Sequence, residues 1–95
     1  MSRSWERAFV VGGSEGIGLA VAQRLAADGV DVAVFGRSED KLGAARETLG
    51  GTAYAASLDV TDAAGTAEVL DRAVAEVGVP DLVVSAASVT SSEAA

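Results

Sequence analysis

Apolar positions come in short bursts separated by polar turns, and their period alternates between strand-like and helix-like. Ala8-Phe9-Val10-Val11 is a continuous apolar run and predicts strand one over about 8–11. Ile17, Val21 and Leu25 then recur at i, i+4 and i+8. That spacing predicts a helix to about Asp28, with one apolar stripe for a sheet face and with Arg24 and Asp28 off the stripe. Gly29 is a natural stop. Ala33-Val34-Phe35 closes strand two, over about 30–35, and its unbroken apolar character predicts burial on both faces. Ser38 is placed to cap a second helix, with Glu39 and Asp40 in its first turn and Leu42, Ala45 and Leu49 as its stripe. Gly50-Gly51 ends it. Strand three, about 52–58, is Ala-rich and weaker, as expected at a sheet edge. Thr61 or Asp62 caps a third helix to about Val77, with Leu70, Val74 and Val77 on one side and Gly65 as a local cost. Gly78-Val79-Pro80 terminates that helix, and Leu82-Val83-Val84 forms the centre of strand four, over about 81–85.

Four strands alternating with three helices, joined by short connections, predict the α/β class: a parallel sheet with helices on both faces. Right-handed crossovers put strands two and three to one side of strand one. The Rossmann order then places strand four on the other side, giving 3-2-1-4 with the switch point between strands one and four. Residues 1–7 read as a polar lead-in in which Trp5 packs at the domain edge. Residues 8–85 form the βαβαβαβ unit, and residues 86–95 are a small, polar tail.

The stretch Gly12-Gly13-Ser14-Glu15-Gly16-Ile17-Gly18 sits between strand one and helix one. A glycine pattern in strand–turn–helix context points to phosphate binding. Gly12 lets the chain turn off the strand. Gly16 lets backbone approach a pyrophosphate where a Cβ would collide, and Gly18 lets the helix pack closely on the sheet. Free N–H groups and the helix dipole then favour negative charge at the mouth of the turn.

The G-x-x-x-G-x-G spacing resembles the cofactor motif of the classical short-chain dehydrogenases/reductases, with Val11 in place of the usual Thr before the first glycine. The resemblance covers about residues 8–88, and it implies the cofactor half of such a protein: a partial Rossmann domain. It assigns Gly12, Ser14, Glu15, Gly16, Ile17 and Gly18 to the cofactor pyrophosphate turn. It also identifies Asp59-Val60 with the family's adenine-binding pair, the carboxylate accepting the exocyclic amine and the next N–H reaching a ring nitrogen. From spacing alone, Asp59 reads equally as a helix-capping acid. After strand two, where an acid would hold the ribose hydroxyls of NAD, the chain has Gly36-Arg37-Ser38. Glycine leaves room, and arginine can make charge-assisted bonds to a 2′-phosphate. NADP(H) is therefore expected over NAD(H), although Glu15 stands where many NADP-preferring relatives carry a basic residue. Ser85-Ala86-Ala87-Ser88 falls where the family has Asn-Asn-Ala-Gly, and Ala87 alone matches.

The family's hydride chemistry uses a Ser, a Tyr-x-x-x-Lys pair and an Asn. Here the single tyrosine, Tyr54, is followed four residues on by Leu58, and the single lysine is Lys41. No catalytic residue is assigned, and these 95 residues are not expected to catalyse the reaction alone. Three readings stay open: the NADP(H)-binding part of an oxidoreductase, a non-catalytic nucleotide-binding or regulatory module, and a truncated structural fragment.

Composition narrows the partners. The net charge of −7 argues against nucleic acid or an anionic membrane surface. With no Cys and no His, disulfides, thiol chemistry and zinc are not expected. The first seven residues lack a signal-peptide core, and no apolar run approaches the ~20 residues of a membrane span, so a cytoplasmic location is the default expectation. Strand four lacks a further partner strand, which predicts self-association through its edge.

Overall fold

The computed structural model describes residues 5–12, 16–50, 53–59 and 61–86. The elements are β1 (Arg7–Val11), α1 (Gly16–Ala27), β2 (Asp31–Gly36), α2 (Glu39–Thr48), β3 (Tyr54–Ser57), α3 (Ala63–Val77) and β4 (Leu82–Ser85). All pairings are parallel, and the sheet order is β3-β2-β1-β4. This is the expected 3-2-1-4 arrangement, with the two early crossovers leading one way from β1 and the last leading the other.

Alternation along the strands sorts the core into two layers. On one face Ala8, Val10, Val32 and Val34 pack with Ala22 and Leu25 of α1 and Leu42 of α2. On the other, Phe9, Ala33 and Phe35 pack with Leu58 and with Ala73 of α3. The second layer is an aromatic row across three strands: Phe9 to Phe35 at 5.2 Å between ring centres, then Phe35 to Tyr54 at 6.3 Å, both tilted. Two helices cover the first face and one covers the second. As a result Val83, which stands beside Phe9 on the second face, is 62% exposed.

Several boundaries shift. The parallel ladder draws in Arg7 at the start of β1 and moves β2 one residue later, pairing Arg7 with Asp31 and Val11 with Phe35. β3 is shorter than expected, and Leu58 lies beyond it, buried with its N–H bonded to the Gly36 carbonyl at 2.9 Å. The stripe of α1 is also corrected. Ile17 is 68% exposed, and the buried positions are Gly18, Ala22 and Leu25, with Val21 at the margin. Without a side chain at Gly18, that turn of the helix can lie against the sheet, which rotates Ile17 outward. Trp5, expected to pack, is exposed.

The terminators act as the sequence implies. The N–H of Gly29 bonds the Ala26 carbonyl and that of Val30 bonds the Leu25 carbonyl, both at 3.0 Å. This is a Schellman ending with glycine at its left-handed position, φ 87°. Ser38 caps α2, accepting the Lys41 N–H at 3.3 Å. For α3 the cap is Asp62, not Thr61: its carboxylate accepts the Gly65 N–H at 3.0 Å. That cap lies where a Cβ on Gly65 would stand, 2.7 Å from the nearer oxygen, so the helix-weakening glycine makes room for the capping acid.

Candidate dinucleotide site at the C-terminal edge of the sheet

Parallel strands end in register, so their following turns gather at one edge. Gly12, at φ 83°, leaves β1 and donates its N–H to the Phe35 carbonyl at 2.7 Å. The glycine turn is thereby joined to the end of β2. Arg37 begins the next turn; its carbonyl accepts the Ser57 hydroxyl at 3.4 Å, which ties it to the end of β3. Asp59 follows one residue after Leu58. On the other side of β1, the Ala86 N–H bonds the Val11 carbonyl at 2.9 Å and extends β4 to the same edge.

Gly16 opens α1 at φ 61°. A Cβ built on it meets nothing within 4 Å among the described residues. Protein packing does not demand a glycine there. The left-handed backbone, with no described residue against it, fits a group brought against the backbone from outside, which is the requirement of a pyrophosphate. The first N–H groups of α1 have no carbonyl partners within the helix. Gly18 is a buried position of α1, and Ile17 before it is exposed.

Arg37 is exposed, and no carboxylate among the described residues lies within ion-pair distance of its guanidinium. Asp59 is more constrained than either sequence reading implied. It does not cap α3, since Asp62 does. Its Oδ1 instead accepts both the Thr61 hydroxyl at 2.7 Å and the Thr61 N–H at 3.0 Å. Those two bonds, hydroxyl first, hold the carboxyl below its ordinary pKa, and the charge of Arg37 acts in the same direction. Ser38 is occupied as a helix cap but remains partly accessible beside Arg37.

The structure thus gathers Gly12, Gly16, Ile17, Gly18, Arg37, Ser38 and Asp59 at one edge. Ser14, Glu15, Val60 and Ala87 lie outside the described residues. Sequence reasoning missed Thr61 as the partner of Asp59; the Asp-x-Thr spacing of an Asx turn was the available signal.

Concavity alone points elsewhere. A cleft of about 480 Å³ lies at the opposite, N-terminal edge, bordered by Arg7, Val30, Asp31 and Tyr54. Its one cation is already engaged: Arg7 donates from Nη1 to the Val79 carbonyl at 3.1 Å and sits 3.9 Å from the Asp31 carboxylate. Through Nη1 this arginine braces the α3–β4 connection, while its Nε is buried without a hydrogen-bond partner among the described residues.

Comparison with known proteins gives the family. The short chain dehydrogenase family model matches residues 6–95, and the chain belongs to that family. It is 40% identical over 83 residues to the 3-oxoacyl-acyl-carrier-protein reductase FabG of Escherichia coli strain K12, covering 87% of this chain and 34% of that protein. It is 36% identical over 87 residues to the L-2,3-butanediol dehydrogenase of Corynebacterium glutamicum, covering 86% and 34%. Among solved structures, an NADPH-bound short chain oxidoreductase from Pseudomonas aeruginosa PAO1 with an atypical catalytic center superposes with TM-score 0.77 at 30% identity, over 82% of this chain and 32% of that one. An alcohol dehydrogenase from Thermococcus sibiricus complexed with 5-hydroxy-NADP gives 0.76 at 32% identity, over 82% and 35%. The chain spans about a third of the length of the curated relatives it matches. Among the described residues no helix is long and apolar enough to cross a membrane.

Proposed function

We propose that these 95 residues are the NADP(H)-binding part of an oxidoreductase that moves hydride between NADPH and a carbonyl or alcohol. The carrying observation is the juxtaposition at one sheet edge of the left-handed Gly16, where an added Cβ meets no described residue, and Arg37, which has no ion-pair partner among the described residues. Gly12, Gly16, Ile17 and Gly18, with Ser14 and Glu15 assigned from the sequence motif, hold the pyrophosphate. Arg37, with Ser38 beside it, takes the 2′-phosphate. Asp59 takes the adenine, with Val60 and Ala87 assigned to the cofactor from the sequence motif. When bound, the nicotinamide gives or accepts the hydride. The NADPH and 5-hydroxy-NADP named for two structural neighbours support the same choice of cofactor.

Proton transfer to the substrate oxygen falls to other groups. Tyr54 lies in β3, half-buried against Phe35, and has no lysine four residues on. A second reading is a non-catalytic nucleotide-binding module. A Tyr-x-x-x-Lys encoded beyond Ala95 in the same reading frame selects the oxidoreductase, and a stop codon there selects the module.

Calorimetric titration with NADPH and with NADH tests the cofactor assignment. Saturable binding that favours NADPH is expected. Arg37→Ala should cost about 10- to 100-fold in NADPH affinity and leave NADH nearly unchanged, because a hydrogen bond to a charged group contributes roughly 1.5–3 kcal/mol. An unchanged NADPH-to-NADH ratio rejects the role of Arg37, and no binding of either cofactor rejects the function.

A further inference from the structure

Asp59 is held from three directions. Leu58 before it is buried, with its N–H fixed on Gly36. The Asp59 carbonyl accepts two bonds from downstream, the Asp62 N–H at 2.9 Å and the Thr66 hydroxyl at 3.0 Å. The carboxylate accepts two from Thr61, and both go to the same oxygen, Oδ1. No described residue donates to Oδ2. An exposed aspartate ordinarily samples several rotamers. This one has its backbone and both side-chain torsions fixed, with one oxygen consumed and the other left as an acceptor beside Arg37.

We infer that Thr61 is a positioning residue for the adenine subsite: by saturating Oδ1 of Asp59 it presents Oδ2, already oriented, to the exocyclic amine of the dinucleotide. The inference rests on the proposed reading of Asp59 as the adenine acceptor. An acceptor fixed before binding loses little rotamer freedom when the amine arrives, so more of the new hydrogen bond appears as affinity. The hydroxyl is the distinguishing group. A turn needs only the Thr61 N–H, whereas the Oγ1 bond to the same oxygen locks the plane of the carboxylate.

The test compares NADPH with its deamino analogue, in which hypoxanthine replaces adenine and the amine donor is lost. Wild-type chain should prefer NADPH. Thr61→Val, which keeps the shape and the N–H but removes the hydroxyl, should weaken NADPH by roughly three- to tenfold and leave the deamino analogue unchanged. Thr61→Ser should restore the preference. A loss of general fold integrity would lower both affinities together, so equal weakening of the two ligands, or none, overturns the inference. Failure of the underlying reading looks different: a wild-type chain that binds NADPH and its analogue equally has no adenine acceptor at Asp59. A second measurement needs no cofactor. The Asp59 carboxyl, followed by NMR through an acid titration, should protonate at higher pH in Thr61→Val than in wild type or Thr61→Ser, and identical titration in all three chains overturns the positioning role.

Discussion

At Gly16 the two usual reasons for a glycine separate. Its φ of 61° disfavours any side chain, while the space where a Cβ would stand is open. Gly16→Ala should therefore lower stability by only about 1–2 kcal/mol, the cost of a left-handed alanine, and leave the chain folded. The same methyl should block the approach of a pyrophosphate. Thermal denaturation with and without NADPH checks both: a small fall in the bare Tm, and loss of the cofactor-induced rise. At this scale much was legible in advance. Glycine spacing marked the turn, the lack of an acid after β2 marked Arg37, and Ser38 was visible as a cap because its hydroxyl precedes two acids. Ile17 was misassigned because a periodicity count weighs only apolar side chains. The buried stripe runs through a residue with no side chain at all, Gly18. The Asp-x-Thr spacing signals a turn at Asp59, but that both Thr61 bonds fall on one carboxylate oxygen depends on torsions that residue type leaves open.

Helices supply the next level, and α3 carries the greatest burden because it alone covers its face of the sheet. Asp62 anchors its first turn, with Gly65 left bare to receive the carboxylate. Asp62→Ala should cost about 1 kcal/mol through the lost cap. Fraying should spread to the Phe9–Phe35–Tyr54 row beneath, and amide exchange in the first turn of α3 should accelerate more than in α1 or α2. An equal change in all three helices would argue against a local cap. The order of elements and their caps were readable because stops and starts are chemical: glycine after α1, serine before α2, Gly-Val-Pro after α3. Strand ends were less readable. A ladder in register recruits Arg7 at the start of β1 and Gly36 at the end of β2, residues that give no strand signal.

For the whole molecule, the outer strand β4 adds side-chain fastening at its beginning to its ladder with β1. The Asp81 carboxylate accepts the N–H groups of Glu6 at 3.0 Å and Arg7 at 2.9 Å, and the Asp81 N–H returns a bond to the Arg7 carbonyl. The two accepted bonds, Glu6 first, hold the carboxyl below its ordinary 3.8. A depressed pKa means that the folded state favours the ionised form. The stabilisation is complete above about 3.8 and disappears as pH falls through the lower, folded value. Asp81→Ala should lower Tm at neutral pH and remove part of its decline in strong acid; parallel Tm-against-pH curves for variant and wild type would refute this. Beside that fastening, Val83 is an exposed apolar position on the second face of the sheet. The 3-2-1-4 order followed from alternation and handedness, whereas the uneven covering of the two faces needed the third dimension.

The in-register ends of β1, β2 and β3 also make the sheet a ruler. Neighbouring strands stand about 4.8 Å apart, so the turns after β1 and β3 are separated by roughly 10 Å across the edge. A ligand read at Gly16, Arg37 and Asp59 must lie crosswise over the strands and reach all three marks at once. A lone phosphate or a lone adenine can touch one mark only. Their separate affinities should be feeble, and the joined molecule should bind far more tightly than either, because its first contact delivers the remaining groups to marks already set at the right interval.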